Sequence, residues 1–295
     1  VEASLNKAKT KEILINKKIA TPKGIVLKEF DTFKNDIELP LVVKPLDGSG
    51  SRGVTYVRKF NDIQEAIKEA RTVSCDILIE EAIIGDHIDV SGFYANEKFY
   101  PGGQLDRYFS PLPFRYPIYG LQPPKSVDQD KIYEILEQSC NALGINWGPV
   151  KADIINTKKG PFIIEVTPRF HGDVSTSFVC KKTYDLSPIQ QWFDWLSNSK
   201  LPNREMFKSS KKVSGWAGIF ASKVGTIKEI RGLKFLKEVP FFSDFLIRRD
   251  IGSSINSIRD NNALVGFVFA TSHSYYDTER SLKEMIDKIE IIIEE

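Results

Sequence analysis

Cysteine is scarce: positions 75, 140 and 180 hold the only three, odd in number, far apart and without a CxxC pair. That scarcity excludes a disulfide framework and a cysteine-based zinc cluster, and a reducing cytoplasm is the simplest home for such a chain. No apolar run approaches the ~18 residues of a membrane-spanning helix, and the opening VEASLNKAKTKE lacks the apolar stretch of a signal peptide. Nor does one sign of charge dominate. Forty-one basic against thirty-nine acidic side chains leave +2, so no global field points to nucleic acid or an anionic membrane, and any anion must be met by local charge. Internal repeats and low-complexity tracts are missing. So is a starting methionine, from which a further N-terminal domain upstream of Val1 is expected.

What is present suits a soluble chain of 295 residues with a substantial core. Helix formers run from Ser4, a candidate cap, to about Lys18, with Pro22 beyond. Leu39 to Leu46 reads as a strand feeding DGSGSRGV, and Val54 to Val57 resumes it. Asp62 and Glu65 form a capping-box pattern ahead of a helix ending near Arg71, and the strand DILIEE follows, giving an α+β unit. Pro101 to Pro124, dense in proline and aromatics, reads as a long structured loop over a site. Asp128 caps, and Gly144 stops, a helix carrying Ile132, Leu136 and Cys140, and another helix runs from Pro188 to Leu196. The polar stretch SNSKLPNREMFKSSKK marks the best boundary, ahead of a smaller unit of short strands closed by a helix bearing Leu282, Met285, Ile286 and Ile289.

The segments KADII (151–155) and FIIEV (162–166) carry the most chemistry. Folded as a hairpin about Lys159, they set Asp153 opposite Glu165 and Lys151 opposite Thr167 on one face, with Arg169 nominally on the same side; Ala152, Ile154, Ile164 and Val166 form the apolar face. Facing carboxylates repel unless a proton or a cation lies between them, so this pair either holds a metal ion or shares a salt bridge with Lys151 or Arg169. In DGSGSRGV, Gly48, Gly50 and Gly53 allow sharp turns that bring N–H groups to an anion, and Ser49, Ser51 and Arg52 add donors. A flexible hairpin tip would look similar; Lys44, with its fixed charge at the base of the loop, favours a phosphate cradle.

VVKPLDGSGSRGV, LIEEAIIGDHIDV and GPVKADIINTKKGPFIIEVTPRFHG together resemble the ATP-grasp superfamily in order, spacing and residue type, over roughly residues 4 to 200. Gly225, Gly252 and the closing helix are similar, more weakly, to the small lid-like domain of carboxylase-type and amino-acid-ligase-type members. The resemblance implies an ATP-grasp domain over 1–200, with about 41–84 as the glycine-loop subdomain, and a lid-like α/β domain over 210–295. It implies ATP held between two α+β subdomains. Lys44 would contact the α/β phosphates, with Lys7 as its partner, although Lys9 or Lys11 could be confused with it. Glu80, Glu81, Ala82 and Ile83 would surround adenine, and His87 stands where many members bind ribose, unless it is a surface histidine.

By the same resemblance, Asp153 and Glu165 hold one or two Mg2+ ions, with Mn2+ as the alternate, and Thr167 replaces an asparagine ligand common in the family. Arg169 would steady the transferring phosphoryl group, Lys151 would neutralise a developing oxyanion, and His171 and Asp173 would meet the second substrate or merely cap a turn. Arg107 and Arg115 are candidates for carboxylate recognition, against the commoner reading of solvated loop arginines. The implied activity is an ATP-dependent ligase that activates a carboxylate as an acyl phosphate and passes it to an amine, releasing ADP and phosphate. A bicarbonate-phosphorylating carboxylase or carbamoyl-phosphate-synthase-like enzyme is the alternative, although no methionine-flanked lysine of a biotin carrier occurs. A non-catalytic nucleotide-binding module is the other. The partners expected are small carboxylates and amines, with no nucleic acid or membrane and with homo-oligomerisation left open.

Overall fold

The computed structural model describes residues 6–34, 37–48, 50–112, 114–125, 127–203, 205, 207 and 210–294. Helix α1 (Lys7–Asn16) starts at Asn6, whose side chain accepts the Lys9 N–H at 3.0 Å; Ser4, the cap expected from the sequence, lies outside the described residues. Strands β1 (Gly24–Leu27), β2 (Leu41–Pro45), β3 (Thr55–Val57) and β4 (Ile77–Glu81) form a small antiparallel sheet in the order β1-β4-β2-β3. Helix α2 (Ile63–Arg71) buries Ile63, Ala66, Ile67 and Ala70 against its Leu41, Val43, Val57, Ile77 and Ile79. The expected capping box does not form. A 3-10 turn over Phe60–Asp62 leads into α2, and Asp62, already helical at φ −88° and ψ −7°, makes no side-chain cap.

The larger sheet has eight antiparallel strands in the order β12-β14-β10-β7-β6-β5-β8-β9. Its members are β5 (Asp86–Ala95), β6 (Lys98–Phe109), β7 (Pro117–Gln122), β8 (Gly148–Thr157), β9 (Gly160–Thr167), β10 (Val213–Phe220), β12 (Phe242–Ile247) and β14 (Leu264–Ser272). Helix α3 (Gln129–Ala142), capped by Asp128, packs Ile132, Tyr133, Leu136 and Cys140 onto Val90, Ile154, Ile163 and Val166. The short α4 (Cys180–Tyr184) and α5 (Pro188–Asn198) follow β9, with Pro188 in the first turn of α5, where its missing N–H costs nothing. Strands β11 (Gly225–Arg231), β13 (Ser254–Ile255) and β15 (Glu290–Glu294) form a third sheet, and α6 (Tyr275–Asp287) buries Leu282 and Met285 in the core it shares with β10 and β14. Strands from beyond position 210 therefore complete the same sheet that carries the 151–167 hairpin.

The segment from Pro101 to Pro124 is not a long loop. It supplies most of β6 and all of β7, joined by a short turn closed by the Ser110 N–H on the Tyr116 carbonyl at 2.9 Å. Its prolines and glycines mark strand irregularity instead. Pro101 pairs with Gly92 beside a register shift, Pro117 opens β7, and Gly103 (φ +102°) passes so close to Gln122 and Cys180 that a Cβ would come within 2.7 Å of both side chains. The hairpin keeps its expected register, Asp153 opposite Glu165 and Lys151 opposite Thr167. A bulge then shifts Ile154 opposite Ile163, so Ile163 is buried in the core, and Ile164, expected there, borders the cleft between the sheets.

Candidate active site

The small sheet and the large one enclose a cleft of about 690 Å³. On the small-sheet side, Lys44 of β2 and Lys11 of α1 converge on the buried Glu80 of β4, at 2.5 and 3.0 Å. Burial alone would push the Glu80 carboxyl up; Lys44 first and Lys11 second outweigh it and hold it below the ordinary carboxylate range. Burial, abetted by Lys44, lowers Lys11. Lys7 is also lowered by burial, against the pull of Glu165. Its ammonium donates to the carbonyls of Leu46 and Gly48 at 3.0 and 3.2 Å, tying α1 to the glycine-rich loop. Of the three lysines on α1, Lys7 thus reaches the loop and lines the cleft, whereas Lys11 is turned to Glu80, which it shares with Lys44.

Gly48, Gly50, Ser51 and Arg52 border the cleft. Ser49 lies outside the described residues. Gly53, grouped with them in the sequence, does not line the cleft; at φ +67° it packs on α2, where a Cβ would stand 3.0 Å from Pro45 and 3.1 Å from Ala70. Glu80, Glu81, Ala82 and Ile83 all border the cleft. The N–H groups of Glu81 and Ala82 are already given to the carbonyls of Lys23 and Pro40, each at 2.9 Å, so an edge-on ring must find its donors elsewhere along this segment. His87 is no surface histidine. Its Nε2 accepts from Arg115 at 2.8 Å, which places the ring proton on Nδ1, and Phe109 packs 4.7 Å from its centroid. Burial first and the Arg115 charge second lower it to about 4.

Across the cleft the charges are denser. The buried Lys151 ammonium lies 3.0 and 3.1 Å from the two oxygens of Asp153 and 3.2 Å from Glu165 Oε2, which is the salt-bridged arrangement named from the sequence. Burial opposes its charge, but Asp153 and Glu165 raise it above an ordinary lysine. Asp153, which burial alone would push up, is held well below the usual carboxylate range by Lys151 and then Arg107. Thr167 donates its hydroxyl to Glu165 Oε1 at 3.4 Å. Glu165 remains 39% exposed and turned to the cleft, so this all-oxygen donor set, two carboxylates and a hydroxyl, suits a hard divalent cation such as Mg2+.

Arg107, on β6, is a centre of this end. Its Nη2 contacts Asp89 and Asp173 at 2.5 Å each, and its Nη1 lies 3.8 Å from Asp153. Burial disfavours its charge, but the three carboxylates more than compensate and raise it. Burial pushes Asp89 up despite Arg107. His171 Nδ1 is 3.6 Å from Asp89, and burial lowers the ring to about 3, so it is neutral. Asp173 also caps a turn, its Oδ1 accepting the Ser175 N–H at 2.8 Å. Asp89, His171 and Asp173 come within 4.8 Å of one another, as metal ligands would, but the Arg107 guanidinium already joins the two carboxylates. Arg169 borders the cleft, exposed, donating to the Phe170 carbonyl at 2.9 Å.

Several lining residues had no clear signal in the sequence. Asp89 shares a strand face with His87 by simple alternation and could have been found that way. Trp216 and Phe267 come from β10 and β14, where nothing sets them apart from core residues, and the exposed Arg248 follows the end of β12. Trp216 and Phe267 meet edge to face at 5.4 Å and, with Leu264, make an apolar wall beside the Arg107 cluster.

Residues 4–173 match the ATP-grasp domain family, and residues 218–294 match the L-amino acid ligase C-terminal domain 2. An uncharacterised protein of Sinorhizobium fredii is 25% identical over 303 residues, covering 98% of this chain and 61% of the relative. A D-alanine–D-alanine ligase of Pseudomonas fluorescens is 29% identical over 179 residues, 54% of this chain and 51% of the ligase. The chain thus spans about half to three fifths of these relatives. In fold it is similar to the L-amino acid ligase from Bacillus licheniformis, with a TM-score of 0.83 at 23% identity over 100% of this chain and 73% of that one.

Proposed function

Because the chain belongs to the ATP-grasp family, we propose that it is a ligase that activates a small carboxylate with ATP and joins it to an amine. The observation that carries this reading is the pairing of two unlike ends in one cleft: Lys44 and Lys7 beside a glycine-rich loop, and Asp153 with Glu165 facing them. In the reading, one carboxylate oxygen attacks the γ-phosphorus, the bond to the β–γ bridging oxygen breaks, and ADP leaves. The amine then attacks the acyl carbon, the carbon–oxygen bond to phosphate breaks, inorganic phosphate leaves, and the amine proton passes to water.

The chain's own groups organise charge for both steps. Lys44 is held extended by Glu80, and Lys7 is anchored on the loop, so both meet phosphate oxygens with little ordering left to do. Residues 80–83 and His87 receive the base and ribose; His87, with its proton on Nδ1, serves there as a donor. Arg169 faces the transferring phosphoryl group, and Lys151 neutralises the oxyanion that develops when the amine attacks. A magnesium ion held by Asp153, Glu165 and the Thr167 hydroxyl supplies charge against the phosphates when bound. His171, lowered to about 3, is too weak a base to take the amine's proton at neutral pH. Its buried Nε2, without a hydrogen-bond partner among the described residues, accepts a hydrogen bond from the amine instead. The division into an ATP-grasp domain over 1–200 and a lid-like domain over 210–295 belongs to the same proposal.

ADP release across a panel of amino acids and other carboxylates, with and without amines and with bicarbonate as a separate arm, tests the reading. Turnover that requires both an acid and an amine is expected. Release triggered by bicarbonate alone would replace it with the carboxylase-like reading, and no release with any acid would leave a nucleotide-binding module.

A further inference from the structure

We propose that the Lys151 ammonium takes the place of a second divalent ion, so that the cleft binds one Mg2+ with its nucleotide and not two. The inference rests on the reading of Asp153, Glu165 and Thr167 as the magnesium ligands and decides how many ions they hold.

Three observations carry it. First, Lys151 engages three of the four carboxylate oxygens of the pair, both of Asp153 and Oε2 of Glu165, at 3.0 to 3.2 Å. Paired ions in two-metal sites stand ~4 Å apart and share a bridging carboxylate. Each engaged oxygen keeps a further lone pair, so Asp153 can still ligate one ion beside Glu165 Oε1 and the Thr167 hydroxyl, 3.4 Å apart, while the ammonium occupies the side of the pair that a second ion would share. Second, Lys151 cannot easily withdraw. It lies on β8 between β5 and β9, paired with Ser91 and Thr167, and its side chain is 5% exposed, so leaving the pair would strand a buried ammonium. Third, two fixed cations already offset part of the carboxylate charge: Arg107 Nη1 lies 3.8 Å from Asp153 beside Lys151, and Thr167 brings a donor oxygen but no negative charge, so the negative surplus that remains is what one dication balances. A second dication would face both fixed cations across a few ångströms of a cleft that is only partly exposed.

The same contacts give Lys151 an economical role. A two-ion site places charge on both sides of the transferring group, and here one of those charges is built into strand β8. Lys151 therefore gives the site a constant cation whose presence does not depend on the free magnesium concentration.

The experiment counts Mn2+ bound per chain, by electron paramagnetic resonance of the free ion and by calorimetry, in the presence of a saturating non-hydrolysable ATP analogue. Wild type is expected to bind one ion. Lys151→Met should bind two, with the first tightened at least about tenfold by loss of the neighbouring charge, whereas Lys151→Arg should remain at one. Lys151→Gln serves if Lys151→Met melts early. Two ions in wild type, or one in both neutral variants, overturns the inference while leaving the ligand assignment standing. Glu165→Gln separates the two: if it binds Mn2+ as tightly as wild type, the ligand assignment itself fails, and the inference with it.

Discussion

The two ends of the cleft balance charge in opposite ways. At the small-sheet end Lys11 and Lys44 share one carboxylate, Glu80, Lys7 donates to backbone carbonyls of the loop, and the surplus is positive. At the large-sheet end four carboxylates, Asp89, Asp153, Asp173 and Glu165, share two cations, Arg107 and Lys151, and the surplus is negative. A polyphosphate suits the first and a metal ion the second, so the cleft is matched to a ligand pair whose charges alternate in the same order. The means also differ. The first end presents backbone at positive φ, as at Gly48 and Gly50, whereas the second is made almost wholly of side chains locked by one another.

The largest effect that would sharpen this contrast is expected from Glu165→Gln. Being partly exposed, Glu165 contributes little to folding, so ADP release should fall about 10²- to 10³-fold with the thermal midpoint near wild type; unchanged release would remove the metal assignment. Arg107→Met and Lys44→Met come next. Arg107→Met strands the buried Asp89 and should cost about 3–5 kcal/mol in urea unfolding, whereas Lys44→Met leaves Glu80 to Lys11 and should cost about 1–3 kcal/mol. In steady-state kinetics Lys44→Met should raise the KM for ATP, and Arg107→Met that for the acid or amine. If both raise the same KM, the ends are not separate.

The histidines offer a pH-resolved version. Unfolded, both take a proton near pH 6.5; folded, His87 does so at about 4 and His171 at about 3. The unfolded chain therefore binds more protons between those values, and the stability they contribute is full above pH 6.5 and is lost as pH falls through the folded values. At about 1.4 kcal/mol per pH unit these shifts amount to about 3 kcal/mol for His87 and about 5 kcal/mol for His171 at most. Urea midpoints against pH should flatten between 6.5 and 4 in His87→Gln, and down to 3 in His171→Gln; parallel curves for wild type and variants would refute the assignment. The smallest contrast lies within the glycine loop. Gly53→Ala meets Pro45 and Ala70 as well as a positive φ and should cost about 2–3 kcal/mol. Gly50→Ala has open space around it and should cost about 1–2, with its main effect on the KM for ATP.

What could be read from the sequence was local. The Asp153–Glu165 register follows from a two-strand hairpin, and the Asp128 cap and the turn at Gly144 follow from side chains within a few positions. The hairpin's bulge was not legible, because Ile163 and Ile164 are chemically identical and only packing under α3 decides which is buried. Arg107 was within reach as a candidate, yet its three partners come from β5, β8 and the turn after β9, and no spacing rule joins them. The proline-rich stretch misled because proline and glycine usually interrupt strands; here they mark register shifts and close strand crossings inside one. The apolar wall of Trp216 and Phe267 was invisible for the opposite reason, since β10 and β14, which carry it, are apolar almost throughout.

The pairing of β7 with β10, from Gln122 with Ser214 to Tyr119 with Ala217, has a consequence for how the molecule is born. As the chain leaves the ribosome, the lysine-bearing end and the 151–167 hairpin can take shape first, while β7 waits as an open edge for a strand still to be synthesised. Through that interval the nascent protein exposes hydrogen-bonding backbone, and Trp216 and Phe267 have yet to wall off the far side of the cleft. A half-made chain would thus present an unpaired strand edge beside a cleft still open on its far side.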